Sequence, residues 1–157
     1  MKTLGLIIIF SSSVVFGLFS SYTDKCSLVF MREILVFTEH IKEQIKHFNS
    51  PLFEIYNSFE CKEKTMRNFL ENINTYGVIQ AVDDSKKNLS SEYYSLLKQF
   101  VSKLGKSNRE DQVKLCEYYH KQLENEFIKQ SKKLKTNSKL KITLSIYIGL
   151  LLIILLL

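Results

Sequence analysis

The chain has 157 residues with one proline, five glycines and a formal net charge of +6, so long helices with few breakers are expected and a turn-rich sheet is excluded. Cys26, Cys61 and Cys116 are odd in number and form no CxxC pair, which argues against a disulfide framework and fits buried free thiols in a reducing compartment. Every charged side chain except Lys2 lies between Asp24 and Lys141, leaving both ends apolar.

Residues 1–22 read as an N-terminal transmembrane helix. Thr3 to Tyr22 carries no charge over twenty residues, which at helical rise is about 30 Å, the thickness of a hydrocarbon core. The basic start and apolar centre also resemble a secretory signal, but Phe16, Leu18, Phe19 and Tyr22 interrupt the small residues that cleavage needs, so an uncleaved anchor is the preferred reading.

Residues 23–141 are expected to form one soluble helical domain. From Leu28 to Phe48 the residues Leu28, Met31, Ile34, Leu35, Ile41, Ile45 and Phe48 recur at three- and four-residue steps, the signature of an amphipathic helix ending near Asn49. Ser50 is placed to cap a second helix that has Pro51 in its first position and Leu52, Phe53, Ile55, Tyr56 and Phe59 on its apolar face. A third helix is expected over Lys62 to Tyr76, stopped by Gly77. The stretch Val78 to Asn88 is compatible with either a helix or a loop. Ser90 can cap a further helix through Leu104, with Gly105 as its left-handed stop. Ser107 and Glu110 have capping-box spacing and open the last helix, whose seam is Val113, Cys116, Tyr119, Leu123, Phe127 and Leu134.

That helix meets no breaker before residues 142–157, which read as a C-terminal transmembrane helix. Sixteen residues reach only about 24 Å, so spanning relies on bilayer thinning or on snorkelling by Lys139 and Lys141. The expected fold class is all-α: an antiparallel helical bundle between an N-terminal and a C-terminal transmembrane helix. Lys129, Lys132, Lys133, Lys135, Lys139 and Lys141 crowd the approach to the second span with no acid after Glu126, which places the middle on the cytoplasmic side and both termini outside. The lysines are not interleaved with aromatics and no nucleic-acid motif accompanies them, so they read as membrane-flanking charge.

No catalytic or metal constellation emerges. His40 and His47 are two helical turns apart, HExxH and CxxC spacings are absent, and the Asp83-Asp84 and Glu110-Asp111 pairs read as a solvated turn and a first-turn dipole match. Cys116 with Tyr119 and His120 could be imagined as nucleophile and base, but the seam position of Cys116 favours packing. A non-enzymatic chain without cofactor or small-molecule substrate is expected.

The segment Leu104-Gly105-Lys106-Ser107-Asn108-Arg109-Glu110-Asp111-Gln112 resembles the LGxSDxxxQ pattern of the stage III sporulation protein AB family. Ser50-Pro51-Leu52 resembles the family's Thr-Pro-Leu step, and Gly149-Leu150-Leu151-Leu152 its closing membrane segment. Asn108 stands where Asp is usual, Ser145 where Gly is common, and Asn72 to Asn88 matches poorly. The resemblance implies a non-enzymatic platform subunit of the secretion-like channel between mother cell and forespore, set in the outer forespore membrane on the mother-cell side and required for endospore formation. Its implied partners are the other stage III sporulation AA to AH proteins, including the AA ATPase, together with membrane lipids; no nucleic acid is expected. Pro51, Leu52, Gly105, Ser107, Asn108 and Gln112 are the candidate partner-contact residues. All but Gln112 have a local explanation as caps, stops or turn packing. The alternative is a module that binds anionic lipid through Lys132, Lys133, Lys135, Lys139 and Lys141.

Overall fold

With so few breakers, the backbone changes direction only where a proline, a glycine or a capping side chain permits it. A computed structural model of the protein describes residues 2–48 and 50–156, without the side chains of 2–10, 13, 14, 16–18, 20, 21, 138, 152, 153, 155 and 156. Its elements are α1 (Lys2–Phe48), α2 (Leu52–Ser58), α3 (Lys64–Tyr76), α4 (Val78–Asp84), a 3-10 turn (Ser85–Asn88), α5 (Ser91–Lys103) and α6 (Arg109–Leu156). No strand occurs among the described residues, and the protein is all-α as expected. The expected end of the first helix at Asn49 lies outside the described residues.

Two compact units divide the chain. One comprises residues 27–130, and the other combines 1–26 with 131–157. Among the described residues, no helix is long and apolar enough to cross a membrane. Much of the expected first span, and the last residues of the expected second, have side chains outside the described set.

Unit 27–130 is built on its two long helical segments. They run antiparallel, since Thr38 meets His120 (Oγ1 to Nδ1, 2.9 Å) while Arg109 reaches back to the backbone of Ile45 and Lys46. Phe30, Met31, Ile34, Phe37, Ile41 and Ile45 turn one face of α1 inward against Ile55, Met66, Phe69, Ile73, Tyr93, Leu97 and Phe100. Burial of side chains of this size contributes about 1.5–3 kcal/mol each before entropy is counted. Phe30 and Phe37 both meet Phe69 near edge-on, with ring centroids 5.9 and 6.4 Å apart. The apolar periodicity placed Phe48 on this face; it is instead 70% exposed, because the core ends one turn earlier at Ile45. Tyr93 is fully buried, and its hydroxyl donates to the Met31 carbonyl at 2.8 Å, which fixes α5 against α1. Burial pushes that phenol far above its ordinary range, so it acts as a neutral donor.

The caps differ from expectation in three places. Ser50 does not cap α2; Pro51 itself occupies the capping position, and its carbonyl accepts from Glu54 and Ile55. Glu63 caps α3 by accepting from the Met66 N–H at 2.9 Å, a role sequence spacing did not single out. Asn108, not Ser107, caps α6, its Oδ1 accepting from the Asp111 N–H at 2.9 Å. Ser90 caps α5 as its position predicts. The stretch that sequence left open, Val78 to Asn88, is the short α4 followed by the 3-10 turn, with Ala81 and Val82 in the core. There Asp83 is more than a solvated turn: its Oδ1 accepts from Tyr94 (2.6 Å) and Lys98 (2.7 Å), tying α4 to α5.

In the unit formed by 1–26 and 131–157, Lys141 and Asp24 form an ion pair at 2.7 Å between the two helices. Asp24 is the sole acid in the sequence of that unit.

Candidate functional site

The proline-containing corner after α1 and the turn between α5 and α6 are distant in sequence, and folding brings them into contact. Gly105 adopts φ +79°, a conformation that side chains resist, and a Cβ built on it would lie 2.9 Å from Cδ1 of Leu52. The glycine is therefore needed for both its backbone freedom and its lack of bulk. Leu52 packs from α2 against the core at this point.

Gln112 locks the turn. Its side-chain oxygen accepts from the Gly105 N–H at 2.9 Å, and its amide nitrogen donates to Ser107 Oγ at 2.9 Å. Sequence reasoning saw no local use for this amide. The use becomes visible only when the chain doubles back, because the bonds span seven and five residues across a turn rather than the fixed offsets of a cap. Gln112 is one of the few buried polar residues, at 5% exposure, and a buried amide with its partners satisfied specifies one geometry.

Arg109 completes the corner from the first turn of α6. Its Nε donates to the Ile45 carbonyl at 3.1 Å and its guanidinium also reaches the Lys46 carbonyl. Both carbonyls belong to the last turn of α1, where a cation complements the negative end of the helix dipole. This residue was not among those singled out from sequence. The signal available was a basic residue three positions before Gln112, which chemistry alone does not distinguish from a solvated arginine.

The six candidate residues thus sort by contact. Pro51 caps α2, Leu52 meets Gly105, Ser107 and Gln112 bond each other, and Asn108 caps α6. All six lie at the end of unit 27–130 remote from Ser27 and Gln130. Phe48 and Phe53, on either side of Pro51 in the chain, expose 70% and 66% of their surface. Next to Asn108 in the chain, Arg109 and Glu110 line an open groove of about 510 Å³ together with Lys46, Val113, Lys114 and Glu117. Five of its six side chains are charged, so it suits a macromolecular surface better than an apolar small molecule.

The imagined Cys116–His120 pair does not assemble into a nucleophile and base. Cys116 is fully buried, and burial pushes its thiol up to about 12, which keeps it protonated. His120 turns Nδ1 to Thr38 rather than to sulfur. His40 meets Ser58 and His47 meets Glu43. Among the described residues, no group of three or more His, Cys, Asp or Glu could hold a metal ion. The lysines that the sequence suggested as membrane-flanking fall on α6: Lys132, Lys133, Lys135 and Lys139 are exposed, and Lys141 pairs with Asp24.

The family described as stage III sporulation protein AB matches the chain over residues 2–157. Among curated proteins and among solved structures, nothing matches.

Proposed function

Because the chain belongs to the stage III sporulation protein AB family, whose role lies in the third stage of sporulation, we propose that it is a non-enzymatic platform subunit of the channel between mother cell and forespore. Its two charge-free ends, Thr3 to Tyr22 and Ile142 to Leu157, anchor it in the outer forespore membrane, and the helical body stands on the mother-cell side. The body's task is to offer a rigid assembly surface to other stage III sporulation proteins, the AA ATPase among them.

The observation that carries this reading is the convergence of Pro51, Leu52, Gly105, Ser107, Asn108 and Gln112 on one corner, with two exposed phenylalanines and a charged groove beside it. Caps and turn bonds account for how the corner is held. They do not account for two aromatic rings left in solvent next to it, and aromatic anchors on a rigid support are what protein interfaces use.

Carbonate extraction of membranes from sporulating cells tests the anchoring. The chain is expected to stay in the pellet with its first twenty-odd residues intact, and a cysteine placed at Glu117 is expected to react with a membrane-impermeant maleimide only after permeabilisation. Release by carbonate, or labelling in intact cells, would remove the membrane placement on which the platform role depends.

A further inference from the structure

The two helical segments of the unit formed by 1–26 and 131–157 leave one face of α6 with no acidic neighbour of its own. Lys135 and Lys139 are exposed there and line, with Thr136 and Leu140, an open recess of about 370 Å³. Asp24, the unit's sole acid, is already held by Lys141 at 2.7 Å. The Thr136 hydroxyl donates to the Lys132 carbonyl, so the two ammonium groups are the donors left to a ligand in this recess.

Leu140, which lines the recess, begins an apolar ridge that continues along the helix. Leu140, Leu144, Tyr147, Leu151 and Ile154 follow at steps of four, three, four and three residues, which is one face of a helix, and each is 60–78% exposed. From Leu140 to Ile154 this ridge runs about 21 Å, more than half the thickness of a hydrocarbon core of about 30 Å. A paired cationic site continued by an apolar stripe matches a ligand that is anionic at one end and hydrocarbon at the other.

We propose that this face binds an anionic phospholipid, the phosphate held between Lys135 and Lys139 and an acyl chain laid along Leu140, Leu144, Tyr147 and Leu151. The site rests on the membrane placement proposed above. It adds to that placement a choice of lipid: an uncharged or zwitterionic headgroup gives the two lysines no net countercharge, whereas phosphatidylglycerol gives them one. Free phosphate supplies the charge without the chain and leaves the stripe unoccupied.

The full-length protein reconstituted in phosphatidylcholine vesicles with and without phosphatidylglycerol, probed with spin-labelled versions of each lipid, reads this choice directly. At low ionic strength the immobilised fraction is expected to favour phosphatidylglycerol by about fivefold or more, the attraction of a single lysine near an anionic surface being about that large, and high salt should reduce the preference. The double variant Lys135→Gln with Lys139→Gln is expected to bring the ratio to about one, while Lys132→Gln with Lys133→Gln, the same charge change beside the recess, retains most of it. Equal losses from the two double variants would overturn the site in favour of diffuse surface charge. Displacement of the spin-labelled lipid by inorganic phosphate at constant ionic strength would overturn the lipid as its occupant. Protein that floats with both vesicle types yet shows equal lipid ratios sinks the site alone, whereas protein that floats with neither sinks the membrane placement as well.

Discussion

Gly77 and Gly105 both end a helix with positive φ, at +88° and +79°, yet one turn is held by backbone geometry alone and the other by the whole fold. Gly77 closes α3 and opens α4 with ψ 160°, a conformation used almost only by glycine, and a Cβ there would meet nothing within 4 Å. Gly105 has Leu52 against it and the Gln112 amide bonded to its N–H. A turn that needs only a glycine leaves its neighbours free to vary. One that needs a glycine, a leucine and an amide together ties distant positions to each other.

The largest expected effect follows from that coupling. Gly105→Ala forces an unfavourable backbone region and drives a methyl group toward Leu52 Cδ1, costing about 3 kcal/mol in thermal melts of the full-length chain in detergent. The steric part is relieved when Leu52 is also made Ala, so a double-mutant cycle should return a coupling of about 1 kcal/mol. Gly77→Ala is expected to cost about 2 kcal/mol from backbone strain alone and to show no coupling to Leu52→Ala. Equal coupling in both cycles would erase the distinction between the two turns.

Gln112→Ala, also about 2 kcal/mol, leaves the Gly105 N–H and Ser107 Oγ without their side-chain partner. Gln112→Glu keeps an acceptor for Gly105 and removes the donor to Ser107, so it should cost less than the alanine variant. The smallest effect concerns the α4–α5 contact. Hydrogen bonds from Lys98 and then Tyr94 hold the Asp83 carboxyl below its ordinary range. A carboxylate with a depressed folded value contributes stability above about pH 4, the unfolded range, and loses it as pH falls through the folded value. Melts of the native chain and of Asp83→Asn should therefore differ slightly at neutral pH and converge in acid, with the difference further reduced by salt.

Helix positions and the α5 cap were legible in the sequence because their signals are local: apolar residues at three- and four-residue steps, a serine before a run, a glycine after one. The signals that failed were those with a rival close by. Ser107 and Asn108 are adjacent capping residues, and only the observed turn decides that Asn108 caps while Ser107 serves Gln112. Pro51 displaced Ser50 in the same way. Phe48 fits the periodicity of α1, but periodicity does not say where the core stops. Arg109 and Asp83 could not be read at all, because their partners, the carbonyls of Ile45 and Lys46 for one and the Tyr94 and Lys98 side chains for the other, come from other helices.

The platform role turns on whether the corner beside Pro51 meets another protein. A photoreactive phenylalanine analogue at Phe53, with the same analogue at Tyr76 beside the other glycine turn, compares two positions exposed to nearly the same degree, 66% and 67%. Irradiated during sporulation, Phe53 is expected to give an adduct with another stage III sporulation protein and Tyr76 none. An adduct from Tyr76 alone, or none from Phe53 in cells where the substituted chain still supports spore formation, would contradict the assignment.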